Sequence, residues 1–193
     1  PQPDALSDEL PLLRLLARLL GTVLEADLNR MELARALETT RLAANHDPLT
    51  DLLNRRGWEE RLELEESRAR RYGSPAVLFV IDLDRLKELN DSNGHDAGDA
   101  LLVRAAETLR GAVRESDAVA RIGGDEFAVL CMESGRHGGE AIEAKIRHAF
   151  REAGIEASLG WAARNPRQDL AAAMIHADRA MLAEKRAGRV DGR

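Results

Sequence analysis

The run Arg121-Ile122-Gly123-Gly124-Asp125-Glu126-Phe127 places two glycines and two carboxylates in a short turn between stretches that read as β-strands. Paired glycines allow positive φ and close approach of a ligand to the backbone, so the spacing predicts a primed hairpin turn open to a phosphate or nucleotide. Asp125 and Glu126 stand at the rim of that opening, where acidic side chains need water, a cation or a metal. A second acidic pair, Asp82 and Asp84, follows the apolar run Phe79-Val80-Ile81. Side chains two positions apart share one side of a strand, so this pair can converge on one cation. If the strand ending at Asp82 neighbours the hairpin, Asp82 and Asp125 come together, and they repel unless a divalent ion bridges them. Magnesium with a nucleoside triphosphate suits such a set. Taken alone, Gly-Gly-Asp is ordinary turn chemistry and a strand-end aspartate an ordinary cap. The combination is what points to a site.

The polar, glycine-punctuated segment from Arg85 to Asp99 reads as a ligand-reading loop between a buried strand and a helix. Asn90 offers a donor and an acceptor and Asp99 only acceptors, a pair that can read the guanine edge, whose N1–H and 2-amino group are donors. Adenine lacks that donor pair. Lys87 can place a cation on phosphate oxygens as charge develops during transfer. Each of these residues taken singly is a routine solvated loop residue.

Positioning them falls to the rest of the chain. At 193 residues with 44% hydrophobic content, it has material for one cored domain and an appendage. Net charge is −6 with Lys and Arg dispersed, which argues against a nucleic-acid polymer as partner. No apolar run approaches the roughly 20 residues of a membrane span and no leader pattern opens the chain, so a cytoplasmic location is expected. The single cysteine, Cys131, lies in an apolar run and reads as core. Trp161 and Phe150 read as core as well, while His46, His137, His148 and His176 have no matching partners in sequence.

Over residues 8–45, Leu13, Leu16, Leu20, Leu24, Leu28, Met31, Ala34 and Leu37 recur at helical spacing. They predict one amphipathic helix, or two joined near Gly21, with a stripe suited to a parallel coiled coil rather than to its own domain. Asp47-Pro48 restarts the chain, dividing it into an amphipathic helix at 1–46 and a domain at 47–193. The domain reads as a helix from Asn54 to Arg71 with Trp58, Leu62 and Leu64 in the core, then a buried strand from Ala76 to Ile81. A helix from Asp96 to Gly111 buries Leu101, Leu102, Ala105 and Leu109. Strands at Ala118 to Ile122 and Glu126 to Met132 come next, then a helix from Gly139 to Ala153, a strand from Ile155 to Trp161 and a helix from Gln168 to Ala187. The order β-α-β-β-α-β is a split βαβ plan of the α+β class, expected to carry its helices on one face of the sheet.

Several separated blocks, in order, resemble the GGDEF domain of diguanylate cyclases over roughly Asp47 to Arg189. They are Asp47-Pro48-Leu49-Thr50 with Leu52 and Asn54-Arg55-Arg56; Asp82-Leu83-Asp84 with Lys87, Asn90-Asp91, Gly94-His95 and Gly98-Asp99; Arg121 to Phe127; and Ala177-Asp178 with Lys185 and Gly188-Arg189. The resemblance implies a ferredoxin-like palm of the nucleotidyl cyclase kind, condensing two GTP into cyclic di-GMP with release of two pyrophosphates. It implies that Asp82, the Leu83 carbonyl and Asp125 hold Mg2+, with Mn2+ as an alternative, and that Asp125 helps activate the 3′-hydroxyl while Glu126 supports the metal. It implies guanine contacts from Asn90 and Asp99 with His95 nearby, and phosphate contacts from Lys87, Lys185 and Arg189. Because each domain takes one GTP, a homodimer arranged by the leading helix is implied, as is a sensory domain upstream.

Arg114-Glu115-Ser116-Asp117 stands where the family carries its inhibitory Arg-x-x-Asp motif, so product inhibition through Arg114 and Asp117 is expected. Four positions depart from the family pattern. Leu86, Asn93 and Leu182 replace usual aromatics as packing swaps. Asp51 replaces a usual glycine and is expected to add negative charge where phosphates pass. Two rival readings are a catalytically weak module that binds GTP or cyclic di-GMP and signals to a partner, and a purely structural dimerisation unit.

Overall fold

The computed structural model describes residues 15, 18–32 and 44–190, with side chains through residue 188. The chain divides into two compact units, Pro1–Ala43 and Ala44–Arg193. In the first, residues 18–32 form a helix, α1, that runs unbroken through Gly21. Its apolar stripe is exposed, with Leu20 at 69% and Leu24 at 62% accessibility and Leu28 and Met31 similarly open. Leu13, Leu16, Ala34 and Leu37 lie outside the described residues. Among the described residues no helix is long and apolar enough to cross a membrane.

The second unit begins with α2 (Arg55–Tyr72), whose N-cap Asn54 accepts from the Gly57 N–H at 2.9 Å and whose C-terminus turns at Gly73 with φ 69°. Then follow β1 (Ala76–Leu83), α3 (Leu86–Asn93), α4 (His95–Ala112), β2 (Ala118–Arg121), β3 (Glu126–Met132), α5 (Arg136–Glu152), β4 (Ala157–Ala163) and α6 (Leu170–Val190). The four strands form one antiparallel sheet in the order β2-β3-β1-β4.

β1 is paired on both edges and buried at all eight positions. Alternation along it divides the core. Val77, Phe79, Ile81 and Leu83 join Leu102, Leu109, Ile146 and Phe150 from α4 and α5 on one face. Ala76, Leu78 and Val80 face Trp58, Leu170, Ala177 and Met181 from α2 and α6. The helices therefore cover both faces, not one as the split βαβ order suggested. A strand apolar on both sides needs cover on both, and the two outer helices of the domain supply the second layer.

Two further expectations are corrected. Residues 86–93 form a helix rather than a loop, held between Arg85 at φ 60° and Gly94 at φ 85°. Its Asn, Asp and Ser content gives weak helical propensity, but Leu86 and Leu89 pack into the core beside α4, and burial outweighs propensity. Leu64 is 47% exposed, and Glu65 takes the buried position instead, paired with Arg61 and Arg68.

The join of α2 to the start of α6 is ionic. Glu66 accepts from Arg70 Nε at 2.6 Å, from Arg164 at 3.1 Å and from the Leu170 N–H at 2.9 Å. Burial pushes the Glu66 carboxyl up, but the hydrogen bonds from Arg164, Arg70 and Leu170 outweigh it and bring the pKa to about 2.

Candidate nucleotide site

The end of β1 meets the glycine turn through the ladder itself. Asp82 is the register partner of Glu126, and one residue on the Leu83 N–H donates to the Asp125 carbonyl at 3.0 Å. These bonds hold the turn against the strand terminus. Asp82 is buried, and Lys185 of α6 places Nζ on its Oδ1. Burial raises the Asp82 pKa most; Lys185 opposes the rise, and the nearby charges of Asp125 and Asp84 add to it. Asp84 is partly engaged elsewhere, since its Oδ1 accepts from Ser158 Oγ at 3.0 Å.

The turn's conformation differs from the primed form. Gly123 and Gly124 are not among the positive-φ residues. At Gly123 the Glu126 side chain folds close over the backbone, so that a Cβ there would fall 2.4 Å from Glu126 Oε2 and the carboxylate would have to swing aside. Around Gly124 nothing lies within 4 Å of such a Cβ, which leaves the tip open to a ligand.

The turn is also braced by residues outside it. Arg121 donates from Nε and Nη2 to the Gly124 carbonyl at 3.3 and 2.8 Å, and from Nη1 to both Asp47 oxygens at 3.2 Å. Asp47 in turn accepts from the Thr50 N–H and hydroxyl at 2.9 and 2.8 Å. Burial works against the ionised Asp47, but the Thr50 and Arg121 bonds prevail and hold its pKa below the usual range. Asp47-x-x-Thr50 is visible in sequence as a local turn; its link to Arg121, 74 residues on, is not.

Asn90, on α3, lies against Gly98 of α4. A Cβ at residue 98 would fall 1.9 Å from Asn90 Oδ1. That oxygen is buried without a hydrogen-bond partner, the condition of an acceptor awaiting a donor. Asp99 follows at once on α4, and Asp99, His95 and Lys87 are all exposed. Arg189 falls within α6, but its side chain lies outside the described residues. A cavity of about 810 Å³ opens beside Asp84, Arg85, Lys185 and Gly188.

Arg114 and Asp117 occupy a different place. Asp117 Oδ2 accepts from the Arg114 N–H at 3.0 Å, and the Asp117 N–H returns a 3.0 Å bond to the Arg114 carbonyl. Both line a cavity of about 490 Å³. Asp51 lines it too, paired with Arg110. Its φ of 54° explains a preference for glycine at this position. Cys131 is fully buried, and burial, with Asp117 beside it, pushes the thiol up and out of reach of nucleophilic use.

Among the described residues no three His, Cys, Asp or Glu side chains gather into a metal cage. Magnesium seldom uses one, since one or two carboxylates and the substrate phosphates usually complete its shell. The hard oxygens of Asp82 and Asp125 fit that mode, as does the raised Asp82 pKa, which burial and then the neighbouring Asp125 and Asp84 charges produce.

A four-stranded antiparallel sheet with acids at a central strand end and a glycine turn beside them defines an α+β domain of palm-like fold. The family model for the diguanylate cyclase GGDEF domain matches residues 44–191. The chain belongs to the GGDEF domain family. It is 38% identical over 162 residues to the diguanylate cyclase DgcP of Pseudomonas aeruginosa, covering 79% of this chain and 24% of that protein. With the diguanylate cyclase TpbB of the same species it shares 40% over 157 residues, 76% of this chain and 36% of that one. The chain thus spans only about a quarter to a third of these curated relatives. The crystal structure of the coiled coil and GGDEF domain of DgcB from Caulobacter crescentus in complex with c-di-GMP superposes with TM-score 0.78 at 29% identity, covering 90% of this chain and 95% of that one. Diguanylate cyclase SiaD of Pseudomonas aeruginosa, solved with its activator SiaC, gives TM-score 0.75 at 31% identity, covering 95% and 74%.

Proposed function

We propose that the chain is a diguanylate cyclase module, condensing two GTP into cyclic di-GMP and two pyrophosphates. The observation that carries this reading is the β1–β3 register, which sets Asp82 opposite Glu126 and bonds Leu83 to Asp125. In this reading Asp82, the Leu83 carbonyl and Asp125 hold Mg2+, or Mn2+ in its place, and Glu126 supports them. The ion supplies Lewis-acid stabilisation of charge at the transferring phosphate.

Asn90, with its unpartnered buried oxygen, and Asp99 take the guanine edge, His95 lying nearby on α4. Lys87, Lys185 and Arg189 supply positive charge to the phosphates. Asp125 accepts the proton of the attacking 3′-hydroxyl. Attack requires a second GTP from a second copy of the chain, and the exposed stripe of α1 supports pairing through a coiled coil. Arg114 and Asp117 form a product site that restrains turnover. We place the module in the cytoplasm, receiving its signal from a sensory domain.

Incubation of the chain with GTP and Mg2+, followed by mass identification of the nucleotide formed, tests the proposal. Cyclic di-GMP formed by the native chain and absent with Asp125→Ala supports it. GTP binding with no product from the native chain selects the alternative, a module that only binds nucleotide. Specific activity that rises with protein concentration supports the dimer, and a flat profile removes it.

A further inference from the structure

Arg110 is a residue of α4 that reaches the turn before α2. Its NH2 donates to the Asp51 carbonyl oxygen and lies 3.3 Å from Asp51 Oδ2. His46 Nδ1 lies 3.1 Å from the same carbonyl. Asp51 and Arg110 line the 490 Å³ cavity that also holds Arg114 and Asp117. Leu52 and Val113 give that cavity aliphatic walls suited to the face of a purine. A dinucleotide with two phosphates calls for two cationic groups, and within the Arg-x-x-Asp motif Arg114 supplies one.

We propose that Arg110 is a second phosphate-binding arginine of this cavity, and that Asp51 competes with the ligand for it and so weakens product inhibition. The inference rests on the reading of Arg114 and Asp117 as a product site. The Asp51 side chain is 83% exposed and that of Arg110 46%, so the pair between them is weak and readily exchanged. A phosphate offers Arg110 charge-assisted, two-pronged hydrogen bonds, the stronger partnership. Asp51 therefore sets the threshold of inhibition without closing the site.

The test is calorimetric titration of the whole chain with cyclic di-GMP at fixed ionic strength. Asp51→Asn removes the charge while keeping a residue that tolerates the left-handed conformation. It is expected to tighten binding about threefold to fivefold, the scale on which an exposed ion pair acts. Arg110→Ala is expected to weaken binding about tenfold, and in that background Asp51→Asn should bring no gain. Glu115→Gln, which removes another carboxylate from the cavity lining, is expected to have a smaller effect than Asp51→Asn. Unchanged or weaker binding by Asp51→Asn overturns the inference. So does an equal gain from Glu115→Gln, or a gain that persists without Arg110. Failure of the underlying reading looks different: cyclic di-GMP would then fail to bind the native chain, or would bind Arg114→Ala undiminished.

Discussion

Asp82 and Asp51 are both acidic residues facing a basic side chain, and their settings could hardly differ more. The Asp82 side chain is 8% exposed, at the end of a strand bonded on both edges. Asp51 stands 83% exposed on a turn at positive φ. The first is fixed by the sheet and pressed by neighbouring carboxylates, so its cost to folding is tolerated for the charge it offers. The second is held by exposed contacts to Arg110 and His46 and a few loop bonds and can yield to a ligand. Substitutions at the strand end should therefore act on chemistry by orders of magnitude, and those around the cavity on affinity by small factors.

Asp82→Asn gives the largest expected effect. Turnover should fall about a thousandfold, as for loss of an electrostatic group at a transferring phosphate. The raised pKa means the ionised carboxylate is worse off folded than unfolded. Its cost is absent where both states are protonated and grows as pH rises through the ordinary carboxylate range. Thermal unfolding at neutral pH should then show Asp82→Asn at least as stable as the native chain; a marked loss of stability would contradict the strained setting of Asp82.

Glu66→Gln marks the purely structural end of the comparison. It leaves Arg164, 5% exposed in its side chain, short of a countercharge, at a cost of about 3 kcal/mol. The Glu66 pKa is depressed, so its contribution is present above about pH 4.5 and is lost as pH falls toward 2. Unfolding measured across that window should show the native chain losing stability and the variant losing less.

Gly98→Ala is intermediate. A methyl group there must displace the Asn90 amide, so affinity for GTP should fall about tenfold, or ~1.4 kcal/mol. In an Asn90→Ala background the same change should do little, because the side chain it displaces is gone. Equal losses in both backgrounds would separate Gly98 from Asn90.

Smallest is Arg114→Ala, expected to relieve inhibition by added cyclic di-GMP when each protein is scored against its own uninhibited rate. Inhibition unchanged by Arg114→Ala would remove the distinction between the two regions.

Much of this was legible in the chain because the signals are local. The apolar run Ala76 to Ile81 reads as a strand buried on both faces, Leu101, Leu102, Ala105 and Leu109 fall on one helical side, and Gly-Gly-Asp-Glu sits between two strands. Neither α3 nor the fold of Glu126 over Gly123 was legible. A helix built from Asn, Asp and Ser has no periodic signal strong enough to reveal it, and the second is a side-chain placement that turn chemistry does not encode.

Sequence by itself determined the order of the strands and of the helices other than α3, the central strand and the residue types that could meet a metal and a nucleotide, since periodicity and turn chemistry act over a few neighbours. Only the tertiary structure decided that helices cover both faces of the sheet, that Arg121 braces the glycine turn from Asp47, and that Asp51 belongs with Arg110. Those are meetings of groups separated by as many as about a hundred residues, fixed by packing and register, on which local propensity is silent.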